Sequence, residues 1–201
     1  MTPTQPTPLD GDPPPPIQQA LRAHEDRWLA VASAAGFAVT RGDLGWVWYD
    51  GAGTIGVTPD DGFDPDDWLG QIVLHELCHH LVEGPDSRDA ADWGLDNMSP
   101  RHEAHEHAAL RLQAAICDRV DPIARRLFVA TTDFRPFFEA LPDDPLDAHG
   151  VDDPRSVDLA RAGLDRFDAA PWAADVVAAM RAAVAFSREN TAAPGTDGRS
   201  P

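Results

Sequence analysis

Apolar residues recur at helical spacing through most of the chain between residues 17 and 189. One stretch begins at Asp64-Pro65, where a capping carboxylate precedes a proline suited to a first helical turn. It stops at Gly84, and glycine commonly ends helices. Taken together, the periodic segments predict helices over about 17–35, 65–83, 99–119, 122–130, 134–141, 155–167 and 171–188.

Three short β-prone runs interrupt the helical pattern, at 37–40, 45–49 and 54–58. The last two are separated by Asp50-Gly51-Ala52-Gly53, a sequence typical of a hairpin turn. The order of elements therefore predicts an α+β fold, mostly helical, with a small β-sheet. The helices and the sheet are predicted to form a single domain over residues 17–189.

The two ends of the chain differ from this domain in composition. Residues 1–16 are rich in Pro, Thr and Asp and end in four consecutive prolines, so they are predicted to be an extended, disordered tail. Residues 190–201 have a similar composition and are predicted to be a second tail.

The chain carries 34 acidic and 16 basic side chains, a formal charge of −18. Nucleic acid and anionic membranes would be repelled and are excluded as partners, whereas a cationic substrate or a basic protein surface would be attracted. The same acidity also fits a role in solubility alone. No signal peptide or membrane span is predicted, and the two cysteines indicate a reducing compartment, so we expect a cytoplasmic protein.

The most specific chemical signal is the sequence His75-Glu76-Leu77-Cys78-His79. At about 100° per residue, His75 and His79 lie on one face of the predicted 65–83 helix and can bind one ion together. Glu76 lies beside them and is placed to act as a general base. Two metal-binding histidines with an adjacent glutamate as base are what the His-Glu-x-x-His motif supplies. The alternative is that both histidines are satisfied core residues.

A third ligand is predicted from the next helix, which offers His102, Glu103, His105, Glu106 and His107. Glu106 lies at the centre of an otherwise mostly apolar stripe, where an unpaired carboxylate would be costly and metal coordination would remove that cost. His102 lies near the same stripe one turn earlier and is the second candidate. Alternatively, Glu106 belongs to a solvated helix face.

Two histidines and one carboxylate fit two kinds of chemistry. With Zn(II) they form a hydrolase site in which Glu76 takes a proton from water. With Fe(II) the same trio is the facial triad of non-haem iron oxygenases. A third possibility is a non-catalytic metal-binding module, although structural zinc sites usually close with four protein ligands.

Beyond the five-residue motif, the chain continues with Gly84, Arg88, Asp92-Trp93-Gly94, Glu106 and Gln113-Ala114. Over residues 70–118 this pattern resembles the elongation factor P hydroxylase family. Members of that family carry a Gly, an Arg and an Asp-aromatic-Gly turn at the same offsets after the motif.

The resemblance implies a zincin-like helical fold that holds iron, with zinc as the alternative metal, on His75, His79 and Glu106. It implies oxygen-dependent hydroxylation of a modified lysine on a protein substrate, elongation factor P. The competing hypothesis is a zinc metallopeptidase or hydrolase that acts on a protein or peptide.

Two further residues are predicted to support the metal ligands. Asp92 either accepts a hydrogen bond from the far nitrogen of His75 or His79, or forms a local turn with Gly94. Arg88 either pairs with Asp92, holds a substrate carboxylate, or lies in a surface loop.

Overall fold

We analysed a computed structural model, which describes residues 17–43, 45–96, 99, 102–131, 133–149, 151 and 153–191. The described chain is mostly helical with one three-stranded sheet, which confirms the predicted α+β class. The helices are α1 (Ile17–Leu21), α2 (Glu25–Ala34), α3 (Leu69–Glu83), α4 (Glu103–Val120), α5 (Ala124–Leu127), α6 (Arg135–Glu139), α7 (Pro154–Ala169) and α8 (Ala173–Thr191). The strands are β1 (Ala38–Arg41), β2 (Val47–Tyr49) and β3 (Thr54–Val57).

The sheet has the strand order β1-β3-β2, so β2 lies at one edge. β3 runs parallel to β1 and antiparallel to β2. The predicted hairpin joins β2 to β3, and the Asp50 carboxylate stabilises its turn by accepting hydrogen bonds from the backbone N–H groups of Ala52 and Thr54. The hairpin prediction is confirmed.

α3 is the central helix and is buried along nearly its whole length. It begins at Leu69, so the predicted start at Asp64-Pro65 is wrong. Asp67 closes a turn by donating its backbone N–H to the C=O of Asp64, and Trp68 is then extended. The Trp68 indole is fully buried and donates to the C=O of Leu127, a tertiary contact that overrides the local capping signal.

Three helices form the core around the predicted metal ligands, with α3 in contact with both α4 and α7. Gly163 allows α7 to approach closely, since a Cβ at this position would lie 2.8 Å from Leu112 of α4. Arg166 of α7 donates to the C=O groups of Leu81 and Val82 in the last turn of α3. The C-terminal end of α3 is thereby fixed to its neighbour.

The remaining boundaries differ from prediction in small ways. A 3-10 turn over Arg22–His24 divides the predicted 17–35 helix into α1 and α2. α8 continues to Thr191, two residues into the segment predicted to be a tail, and residues 1–16 and 192–201 lie outside the described residues. No single described helix is long and apolar enough to cross a membrane, while α7 and α8 reach that composition only as a pair bent by 98°.

The turn before α3 buries a carboxylate. Asp67 is 1% exposed, and its Oδ2 atom has no hydrogen-bond partner, while Oδ1 accepts from the Gln71 side chain. Burial, together with the charges of Asp66 and Asp64, raises the pKa of Asp67 from 3.8 to about 6. The folded state therefore binds this proton more tightly than the unfolded chain does, so Asp67 costs stability as pH rises through 6.

We predict that Asp67→Asn raises the free energy of unfolding by about 1–3 kcal/mol near pH 8, since a neutral amide carries no burial cost of charge. The difference from the unsubstituted protein should shrink as pH falls and vanish below about pH 4. Urea unfolding at several pH values measures this. Asp61→Asn, at an exposed position nearby, is the control for loss of one negative charge, and equal effects of the two substitutions would contradict the prediction.

Candidate metal centre

His75 and His79 of α3 meet Glu106 of α4 inside the core. The two Nε2 atoms lie 3.1 Å apart. Glu106 Oε1 lies 3.1 Å from His75 Nε2, and Glu106 Oε2 lies 3.2 Å from His79 Nε2. The structure thus brings together the three side chains predicted as ligands, as a His-His-Glu cluster that could hold a metal ion.

The orientation of the His75 ring is set by Gln113, which is fully buried on α4. The Gln113 amide nitrogen donates to the C=O of Phe128, so its oxygen must face His75 Nδ1, at 2.9 Å. His75 therefore carries a proton on Nδ1 and donates it to Gln113. In a neutral ring, this leaves the lone pair on Nε2 free for a metal ion.

The side chains fit a cation better than they fit one another. For a neutral His75, the Nε2 lone pair faces Glu106 Oε1, a buried oxygen without a hydrogen-bond partner. Two lone pairs in contact inside a protein are unfavourable unless a cation lies between them. An ion about 2.0–2.2 Å from each ligand atom would separate neighbouring ligand atoms by about 2.8–3.6 Å. The contact between the imidazoles and the contact from each imidazole to its own Glu106 oxygen all lie in this range.

The charges in the cluster are strongly coupled. Burial alone would lower the pKa of His79, but the Glu106 carboxylate outweighs burial and raises it to about 9. Burial alone would raise the pKa of Glu106, but His79 and His75 outweigh burial and hold it well below its usual range. Without a metal ion the cluster therefore retains a proton on an imidazole, and an incoming ion must displace it.

Glu76, the predicted general base, lies on the wall of the same pocket and is 7% exposed. Its Oε2 atom accepts a hydrogen bond of 2.9 Å from the Trp93 indole N–H. The Trp93 ring is in turn stacked on Tyr49, with centroids 3.8 Å apart and planes 5° from parallel. The carboxylate is thus oriented by a rigid aromatic pair.

Asp92 and Trp93 occupy the left-handed region of backbone space, at φ 48° and φ 58°. This conformation is costly for residues other than glycine, so the turn depends on its side-chain contacts. Asp92 Oδ1 accepts a hydrogen bond of 3.0 Å from the backbone N–H of Tyr49 in β2. Asp92 lines the pocket, but its described hydrogen bond joins the turn to the sheet. The side chain that meets His75 Nδ1 is Gln113, not Asp92.

Arg88 and His102 lie away from the cluster. The Arg88 guanidinium donates to the C=O of Gly36 and lies over the Phe37 ring, so it fixes the loop after α3. His102 Nδ1 accepts from the backbone N–H of Asp96 just before α4.

The cluster opens into a cavity of about 200 Å³. β2 forms one wall, and Gly56 lets the Trp48 ring lie flat against β3, since a Cβ there would be 1.8 Å from that ring. Among the described residues that line the cavity none is an arginine and three are acidic, so a cationic group is favoured over an anionic one. The lining residues are Trp46, Val47, Trp48, Gln71, Ile72, His75, Glu76, His79, Asp92, Trp93, Glu106, Leu110, Gln113, Val129, Ala130, Thr131 and Phe134.

Sequence reasoning missed the role of Gln113. The sequence places Gln113 on the Glu106 stripe and in the Gln113-Ala114 pair, but no partner is predicted for its side chain. A signal was present, since Gln113 lies two helical turns after Glu106, and a polar residue on that apolar stripe needs a partner. Which polar group it meets depends on the register of α3 against α4.

No protein-family model, curated protein or solved structure matches this chain. The fold and the site therefore define the class by themselves, as an α+β protein with a His-His-Glu cluster between two core helices.

We predict that Gln113→Leu weakens zinc binding about 10- to 100-fold, because His75 loses the acceptor that fixes its ring and tautomer. Competition with a chelating dye measures the dissociation constant. Gln18→Leu is a matched control, since Gln18 is also buried and also donates to a backbone C=O, that of Arg126, away from the cluster. Equal zinc affinity in the two variants would show that Gln113 has no role at the metal.

Proposed function

We propose that this protein is a metalloenzyme that binds one divalent metal ion through His75, His79 and Glu106. The observation that carries the proposal is a set of three contacts of 3.1–3.2 Å, one between the two imidazole nitrogens and one from each nitrogen to a different Glu106 oxygen. One of these carboxylate oxygens, Oε1, is buried and lacks a hydrogen-bond partner. The position of β2 beside the motif helix α3 supports a zincin-like core.

Within this class we favour an oxygen-dependent, non-haem Fe(II) hydroxylase related to elongation factor P hydroxylase. The residues that carry the resemblance form one connected unit behind the metal helix. Arg88 binds the loop before β1, Asp92 binds β2, and Trp93 binds Glu76. Asp92 and Trp93 thus have physical roles beside the site, and Arg88 fixes the loop that leads to them.

The bound metal ion would supply dioxygen activation as Fe(II), or Lewis acidity as Zn(II). The protein supplies the surroundings. Gln113 holds His75 in the tautomer needed for binding, and Trp93 orients Glu76 toward the pocket so that it can accept or donate a proton. The aromatic walls exclude water from the reacting group, and the acidic lining favours a cationic substrate such as a modified lysine.

The alternative is a zinc-dependent peptidase or hydrolase, and the position of Glu76 favours it. A carboxylate next to a metal-binding histidine, in the pocket and held by one oxygen only, suits a base that removes a proton from water. The two functions share the same ligands.

We predict that the protein binds one equivalent of metal and that His79→Ala abolishes this binding. Metal at about 100 times its dissociation constant should stabilise the fold by about 2.7 kcal/mol, and a chelator should reverse the effect. Elemental analysis and thermal unfolding are the measurements. His149→Ala, at an exposed position, is the control. A His79→Ala protein that keeps its metal would contradict the proposed centre.

We predict that protein purified without oxygen retains iron. When oxygen and a two-electron reductant are supplied, it should add one oxygen atom to the modified lysine of elongation factor P while the other oxygen atom leaves as water. Mass spectrometry of the substrate detects the addition. Glu106→Ala should lose this activity. If Glu106→Ala keeps full activity and His102→Ala has none, the assignment of Glu106 as the third ligand is wrong. Zinc-dependent peptide cleavage that Glu76→Gln abolishes would favour the hydrolase. Stoichiometric metal with neither activity would indicate a binding module.

A further inference from the structure

β2 presents its backbone to the metal pocket. Trp46 C=O accepts from Thr58 N–H, and Asp50 N–H donates to Thr54 C=O, so these residues face β3. Because N–H and C=O groups alternate sides along an antiparallel strand, Val47 and Tyr49 direct theirs away from the sheet.

This free edge borders the cavity, because Val47 and its neighbours Trp46 and Trp48 line it. An open strand edge beside a binding site is a template for an extended peptide, which would add a strand through successive backbone hydrogen bonds. Val47 and Tyr49 offer two consecutive pairing positions for such a ladder.

Asp92 has already taken one of these positions. Its Oδ1 atom lies 3.0 Å from the Tyr49 nitrogen, where the C=O of an incoming strand would have to lie. Among the described residues, none forms a hydrogen bond with the backbone of Val47 on this side. One pairing position therefore remains beside the metal cluster.

The blocking side chain is held firmly in place. Asp92 lies in a left-handed turn with Trp93 and Gly94, which have φ values of 48°, 58° and 78°. The turn is fixed by the stacking of Trp93 on Tyr49 and by the bond from Trp93 to Glu76. Removing Asp92 from the strand would disturb these contacts, and the carboxylate would also repel the carbonyl oxygen of an incoming chain.

We propose that Asp92 is a specificity-determining residue that blocks strand pairing beyond Val47. The pocket then takes a single side chain or a small amide-bearing group, in keeping with its volume of about 200 Å³, and an extended peptide can pair with β2 at Val47 only. This inference rests on the proposed metal centre, which would anchor the reacting end of the ligand.

Two zinc-binding probes test the inference on the zinc-loaded protein. One is an alkyl hydroxamate, and the other carries the same hydroxamate followed by an extended tripeptide. The unsubstituted protein should prefer the peptidyl probe by no more than about 10-fold, since Val47 is the one pairing position that Asp92 leaves open. Asp92→Gly tolerates the left-handed backbone and frees Tyr49 N–H, so it should bind the peptidyl probe about 2- to 10-fold more tightly, the equivalent of one hydrogen bond. Its affinity for the alkyl probe should not change.

Asp92→Asn is the matched control, since its amide oxygen still accepts from Tyr49 while the charge is lost, and it should behave like the unsubstituted protein. An unchanged ratio of the two affinities in Asp92→Gly would overturn the proposal. A strong preference for the peptidyl probe in the unsubstituted protein would also overturn it. If the protein takes up no zinc and neither probe binds, the proposed metal centre is wrong, and this inference is wrong with it.

A second measurement needs no variant. In the unsubstituted protein, the peptidyl probe should shift the amide resonance of Val47. The amide resonance of Tyr49 should have the same position with the peptidyl probe as with the alkyl probe, because Asp92 keeps its hydrogen bond to Tyr49. A Tyr49 resonance that moves with the peptidyl probe alone would show that peptide displaces Asp92, and the proposal would be wrong.

Discussion

The burial of the Glu106 carboxylate is the constraint on which the rest of this structure depends. A charge inside a helical core costs several kcal/mol unless it is compensated, and here the compensation comes from the protonated His79 imidazole on the facing helix or from a cation in its place. The contact works at only one register of α3 against α4. A shift by one residue would turn Glu106 away from His75 and His79 and leave all three polar groups unpaired in apolar surroundings.

Other polar contacts hold that register from outside the cluster. His105, one residue before Glu106, binds Glu83 at the end of α3 through Nδ1 at 2.7 Å, and its Nε2 accepts from Arg155 of α7. Arg166 of α7 binds the last carbonyl groups of α3. α7 therefore fixes α3 and α4 at one end, while Gln113 joins them beside the cluster, so the three side chains of the cluster are positioned by contacts outside it.

Much of this arrangement could be predicted from local pattern. Helical spacing placed His75 and His79 on one face, and a carboxylate on an apolar stripe identified Glu106, because both arguments depend only on the geometry of a single helix. The functions of Gln113 and Asp92 could not be predicted in the same way, since their partners lie 38 and 43 residues away. The predicted start of α3 was wrong because it, too, depends on a distant partner. The burial of Trp68 against Leu127 overrides the capping signal at Asp64.

The two-residue turn at Asp92 and Trp93 connects features that would otherwise be independent. Asp92 occupies the edge of β2, and Trp93 orients Glu76, yet the two residues share one strained backbone segment stacked on Tyr49. The Tyr49 hydroxyl donates to the C=O of Arg88, so the loop after α3 is held by the same residue. A displacement of the strand edge must therefore alter the orientation of the base, because neither side chain can move without the backbone of the other. In this way the edge of β2 is mechanically joined to the Glu76 carboxylate beside the His-His-Glu cluster.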